Sequence, residues 1–89
     1  MKRHATAQAR QQQVARIQGE LQQLTARERQ VLEYVIGGWL NKQIAAELQI
    51  AERTVKIYRA NLMLKMRVNS VAELVRQCEV AGIAPRAPR

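Results

Sequence analysis

Apolar residues recur along this chain at intervals of three and four, run after run, and no stretch shows the strict alternation of a strand. Val14, Ile17, Leu21 and Leu24 form the first run, a heptad seam two repeats long inside a polar, Gln-rich leader. Gly19 interrupts it at a cost of about 1 kcal/mol relative to Ala. Two readings of the seam stand: a helix laying a narrow stripe on its own domain, or a short two-chain coiled coil or linker helix. Residues 1–12 are expected to fray.

Thr25 and Glu28 have the spacing of a capping box, in which hydroxyl and carboxylate each satisfy the other residue's backbone N–H. The helix they start carries Val31, Leu32, Val35 and Ile36 on one face, and Gly37-Gly38 is expected to end it in a left-handed turn. Trp39 reads as a corner plug. Asn41 suits an N-cap, with Ile44, Ala45 and Leu48 buried by the short helix that follows. Gln49-Ile50-Ala51 makes a tight turn, with Ile50 plugging the angle, and Ala51 stands where a capping Ser or Thr is preferred. Next comes a helix from Glu52 to about Met66, with Val55, Tyr58, Leu62 and Met66 inward and Arg59 and Lys65 at the edges. Arg53, Lys56, Ile57, Ala60, Asn61 and Leu64 face outward. Ser70 and Glu73 form a second capping box, opening a last helix with Val71, Leu74, Val75 and Cys78 in one stripe. Gly82, Ile83 and Pro85 resemble a Gly-terminated helix end, and the tail is expected to be disordered. The fold class is therefore all-α: a leader helix over residues 1–23, a four-helix domain over 24–83 with a helix-turn-helix at 41–66, and a disordered tail over 84–89.

Charge sharpens this picture. The chain of 89 residues has 15 Lys+Arg against 7 acids, a net charge of +8 and a pI of about 10.9. Such a balance predicts a polyanionic partner, nucleic acid before a membrane surface. Arg53, Lys56, Arg59, Lys65 and Arg67 follow one another with no acid between them, so the charge gathers on the second helix of the helix-turn-helix. No apolar run approaches the roughly 20 residues that span a bilayer, and the start lacks a secretion signal. A lone Cys78 fits a reducing cytoplasm.

Catalysis is not expected. His4, Ser70 and Cys78 are each the only residue of their kind, every acid is Glu, and the Glu residues fall at helix starts or on solvent faces. Neither a nucleophile–base pair nor a metal site assembles from that inventory, so no catalytic residue, metal or cofactor is assigned. Aromatic residues are 3% of the chain, too few for base-stacking platforms, which favours duplex DNA over single strands or RNA.

A recognition helix needs short or hydrogen-bonding side chains on its outer N-terminal face. Lys56 suits a guanine edge or a phosphate, Ile57 and Ala60 a thymine methyl, and Asn61 an adenine. Thr54 and the helix-start N–H groups suit a phosphate. Asn41 and Lys42 can reach the backbone from the preceding helix, and Arg53, Arg59 and Lys65 add charge for it. Val71, Leu74, Val75 and Cys78 either close the core or in part meet a second copy of the chain.

Together LTARERQVL, the Gly-Gly end, NKQIAAEL, IAERTVKIYRAN and KMRVNS resemble the LuxR/FixJ-type DNA-binding domain that ends many two-component response regulators. The resemblance covers about residues 24–82. It implies that the third helix of that domain enters the major groove and the fourth contributes to dimerisation. It also implies base contacts at Lys56 and Ile57 and phosphates near Asn41, Lys42, Thr54 and Lys65. Tyr58 departs from the usual His, Ala51 from the usual Ser, and Ala60 from a Lys or Arg found in some relatives. The implied partners are double-stranded DNA, a second copy bound with it, RNA polymerase, and a receiver domain absent from this chain. Two other readings stand beside it. One is a sigma-factor region-four module, against which the KMRVNSVAEL segment argues. The other is a protein-interaction module whose basic face is incidental.

Overall fold

The computed structural model describes the backbone of residues 2–87 and the side chains of residues 7–87. Five α-helices follow in order: α1 (Lys2–Gln22), α2 (Ala26–Ile36), α3 (Asn41–Leu48), α4 (Glu52–Lys65) and α5 (Val71–Val80). There is no strand among the described residues. Helix α2 packs chiefly on α4, α3 on α4, and α5 on both α2 and α1.

The leader belongs to this core. Ile17 is fully buried and Leu21 nearly so, with Val14 and Leu24 half-buried. The seam is therefore a stripe laid on the chain's own domain. Helix α1 is also continuous from Lys2, where fraying was expected as far as residue 12; Met1 lies outside the described residues. Glu20 is a second departure from expectation. It sits mid-helix with only 8% of its surface exposed, one oxygen taken by Arg16 at 3.1 Å.

Leu32, Val31, Ile44, Val55, Leu62, Met66, Leu74 and Cys78 are buried almost completely, as the helical spacing predicts. Tyr34 and Val68 join them without being anticipated, because Tyr34 lies beside the apolar face of α2 and Val68 lies in a loop. Of the four residues in the expected α5 stripe, Leu74 and Cys78 are inside this core, so neither offers surface to a second copy. Within that stripe the half-buried Val71 and Val75 keep some, and Val80 at the end of α5 is 39% exposed. Burial pushes the Cys78 thiol up to about 11, so it is a protonated packing group at neutral pH.

Local signals set most helix ends. Thr25 Oγ1 accepts from the Glu28 N–H at 3.1 Å and Glu28 Oε1 accepts from the Thr25 N–H at 2.9 Å, the reciprocal box the spacing requires. At α5 the arrangement is offset. Ser70 Oγ accepts from the Glu73 N–H, but the Glu73 carboxylate accepts from Asn69 rather than Ser70. The start of α3 is also one residue early: Leu40 is the N-cap, its N–H held by Gln43 Oε1 at 2.9 Å, and Asn41 is already helical.

The two glycines after α2 have different reasons to be there. Gly38 has φ 85°, the left-handed conformation expected of a glycine stop. Gly37 has φ −82°, which any residue adopts. What requires glycine at Gly37 is a neighbour: a Cβ there would lie 2.2 Å from the carbonyl oxygen of Arg86. The segment over residues 84–87 is docked, not disordered; residues 88–89 of the expected disordered tail lie outside the described residues. The Arg86 N–H donates to the Glu33 carbonyl at 2.9 Å, and Trp39 Nε1 donates to the Ala87 carbonyl at 2.9 Å.

One ion pair joins the start of α2 to the end of α4. Lys65 Nζ lies 2.7 Å from Glu28 Oε1, and the Glu28 side chain is 5% exposed. Lys65 first, then the Thr25 amide and hydroxyl, hold the Glu28 carboxyl below its ordinary range against the opposing effect of burial. A lowered folded-state value stabilises the fold fully above the unfolded carboxylate's pKa, about 4.3, and the contribution disappears as pH falls through the folded value.

Two expected outcomes follow from these contacts. Ile17→Ala should cost about 2–5 kcal/mol in chemical denaturation, as for other fully buried aliphatic residues; a change near zero would make α1 a linker rather than part of the core. Glu28→Gln should cost roughly 2 kcal/mol at neutral pH. Its deficit against the wild type should shrink in unfolding curves as pH falls through the lowered folded-state value, where the wild-type carboxyl also becomes neutral.

Candidate nucleic-acid interface

Helix α4 becomes a presenting surface because the rest of the domain grips only one side of it. Val55, Leu62 and Met66 are fully buried against α2 and α3, and Tyr58 is half-buried beside them. Every residue assigned to the opposite face is exposed: Arg53, Lys56, Ile57, Ala60, Asn61 and Leu64. Ile57 is 55% exposed and Leu64 76%, so two large apolar side chains stand in water next to two cations. A face that merely solvates a helix has little reason to carry both, two turns apart on the same side.

The angle between α3 and α4 is set in the turn. Gln49 takes φ 57° and ψ 45°, and the Ile50 N–H returns to the Ala45 carbonyl at 3.1 Å. Ala45 is 8% exposed, and its small size lets α4 cross close by. Ala51 caps α4 through its backbone alone, without a side-chain acceptor. That leaves the first turn dependent on other acceptors, and a phosphate is one that helix starts favour. Exposed Glu52 lies in the same turn and opposes an anion there.

The cations expected to meet phosphates divide into two groups. Lys42 and Arg53 are exposed, and Thr54 is half-buried at the start of α4. Arg59 and Lys65 are instead turned inward. Arg59 Nη1 donates to Asn41 Oδ1 at 2.9 Å, linking the middle of α4 to the first residue of α3. Lys65 is held by Glu28. Asn41 is thus neither the predicted cap nor a free polar group; Arg59 fixes the direction of its side chain.

The structure therefore places Lys56, Ile57, Ala60 and Asn61 on one open face of α4, with Arg53 and Thr54 at the start of the same helix and Lys42 exposed in the first turn of α3. Val71 and Val75 lie on α5, outside that face. The Arg59–Asn41 link was missed in the sequence, though Arg59 at the edge of the inward stripe is the position from which a long donor reaches a neighbouring helix. Among the described residues no group of three or more His, Cys, Asp or Glu could hold a metal ion, and no helix is long and apolar enough to cross a membrane.

With this geometry in place, relatives are informative. Residues 22–78 match the family described as bacterial regulatory proteins, luxR family. The transcriptional regulatory protein FixJ of Azorhizobium caulinodans is 55% identical over 62 residues, covering 70% of this chain and 29% of that protein. The response regulator protein TmoT of Ectopseudomonas mendocina is 49% identical over 67 residues, 75% of this chain and 30% of TmoT. Full-length FixJ from B. japonicum superimposes with a TM-score of 0.79 at 44% identity, over 86% of this chain and 38% of that one. The response regulator StyR gives 0.77 at 47% identity, over 85% and 38%. The chain thus spans about a third of the length of these relatives. It belongs to the luxR family of bacterial regulatory proteins, and its helix-turn-helix is that family's DNA-binding domain.

Proposed function

We propose that this chain is the DNA-reading output domain of a response regulator, binding two half-sites as a homodimer in the cytoplasm. The observation that carries the reading is the open face of α4. It holds two cations, an amide and an exposed isoleucine at adjacent turns, with its opposite side locked into the core. Lys56 reads a guanine edge, Ile57 and Ala60 meet thymine methyls, and Asn61 bonds an adenine. Lys42, Arg53, Thr54 and the first N–H groups of α4 take phosphates, and Asn41 joins them in the orientation Arg59 gives it. Arg59 and Lys65 act mainly inside the fold. Val71 and Val75 are the part of the α5 stripe available to a second copy.

The relatives support the regulatory half of this reading. FixJ is a transcriptional regulatory protein and TmoT a response regulator, and both are far longer than this chain. A phosphoacceptor receiver would lie in the remaining two thirds of such a protein. Binding is the whole of the proposed activity.

Duplex binding should weaken steeply with salt, with a log–log slope near −0.9 per phosphate neutralised. A flat titration, or binding no better than to a heparin-blocked control at low salt, would favour a protein-interaction module instead. Lys56→Ala should lose about 1–3 kcal/mol on the true site and leave the melting temperature nearly unchanged. A large fall in melting temperature would make Lys56 structural.

A further inference from the structure

Residues 84–87 make contacts that a frayed segment does not make. After Gly82 turns the chain (φ 75°), Ile83 caps α5 through its N–H to the Cys78 carbonyl at 2.8 Å. Residues 84–87 then run back across the C-terminal end of α2. Four separate contacts hold them. The Arg86 N–H meets the Glu33 carbonyl, and the Ala87 carbonyl accepts from Trp39 Nε1. The Arg86 guanidinium carbon sits 4.8 Å from the centre of the Tyr34 ring, and Nη2 lies 3.6 Å from Glu33 Oε1. Tyr34 is itself braced edge-on by Trp39, with ring centroids 4.7 Å apart. Gly37 completes the seat by leaving room for the Arg86 carbonyl.

These contacts amount to a recognition site for an extended arginine-bearing segment. It reads one backbone donor, one backbone acceptor and one guanidinium, and Pro85 pre-extends the ligand. The family match ends at residue 78, so the segment lies beyond the part the family defines. The seat, however, is built from α2 and the corner that leads straight into α3. Trp39 is followed by Leu40, the N-cap of α3, and then by Asn41 and Lys42.

We propose that the segment over residues 84–87 is a latch that binds the seat formed by Glu33, Tyr34, Gly37 and Trp39, and so fixes the corner from which Asn41 and Lys42 reach DNA. The second half rests on the DNA-reading function proposed above. The latch itself does not. Glu33, Tyr34, Gly37, Trp39 and Arg86 are positioning residues; none of them is placed on the nucleic acid.

Gly37 gives the test an unusual sign. In a right-handed helical conformation, Gly→Ala ordinarily stabilises, by reducing the freedom of the unfolded chain. Here the added methyl meets the latch backbone, so Gly37→Ala should lower the melting temperature of the full chain. In a chain shortened to end at Ile83 the clash is gone, and the same substitution should raise it. Trp39 is the only Trp, so its emission reports the seat directly. It should move to longer wavelength in Gly37→Ala, in Arg86→Ala and in the shortened chain. If the shortened chain does not fold, Arg86→Ala combined with Gly37→Ala in the full chain carries the same comparison: the two effects should be far from additive.

Duplex affinity is then measured well below each melting temperature, where every variant is folded. The latch variants should bind about fivefold more weakly, or worse. Unchanged Trp39 emission in Gly37→Ala would overturn the latch. Emission that shifts while affinity stays at the wild-type level would overturn its role in positioning the corner. If the wild type binds no duplex at all, the DNA-reading proposal fails, and the sign reversal at Gly37 still decides whether the latch exists.

Discussion

Helix α4 has to be buried and exposed at once, and the rest of the domain follows from that constraint. A helix of 14 residues is too short to hold itself in water, so its stability must come from packing. Yet a reading helix needs a whole face free of packing. The solution is a narrow inward stripe, Val55, Leu62 and Met66, driven to complete burial by α2 on one side and α3 on the other. Each fully buried aliphatic of this size contributes about 1.5–3 kcal/mol, enough for the stripe to hold the helix while the outer side remains in solvent. Helices α1 and α5 then close the far side of the same core through Ile17, Leu21, Leu74 and Cys78.

The cations of α4 show how charge is shared between folding and binding. A basic helix next to a polyanion would suggest that every Lys and Arg is a ligand group. Arg59 and Lys65 are instead spent on neighbouring helices, the first on Asn41 and the second on buried Glu28. Glu28 explains the choice at Lys65. A nearly buried carboxylate is costly unless its charge is matched, and one oxygen here serves both the cap of α2 and the ammonium of Lys65. Removing Lys65 would leave that carboxylate unpaired, so DNA can compete for the ammonium only at the expense of the α2–α4 contact.

What the sequence could show depended on range. Periodicity located the helices, and the Thr25–Glu28 spacing gave the reciprocal cap, because these signals are complete within a few residues. The outward face of α4 was equally legible, since projecting one helix needs no knowledge of its neighbours. The misses lie elsewhere. Asn41 has the composition of an N-cap, but Gln43 reaches back to Leu40 and moves the start one residue. Glu20 looks solvated until α1 packs on α5. Gly37 looks like half of a glycine stop, and only the return of the chain 49 residues later shows why a side chain is excluded there. Each miss turns on a partner distant in sequence or on a choice between adjacent caps.

Under the proposed function, sequence discrimination rests on very few atoms. Ala60 contributes a single methyl at the centre of the open face, and Lys56 offers a flexible point charge where a bidentate donor would discriminate more sharply. Ile57 is rigid at χ1 and more than half exposed, so it is the best-defined shape on the face. A single copy reading one half-site with these groups has few contacts with which to separate it from its neighbours. Two copies reading paired half-sites combine their discrimination, provided their spacing is rigid. That places the burden on α5, where Leu74 and Cys78 lock the helix to the core and leave Val71 and Val75 at its surface. In the proposed dimer, the burial that removes Leu74 and Cys78 from the seam also ties α5 to the core, and a fixed spacing is what paired half-sites require.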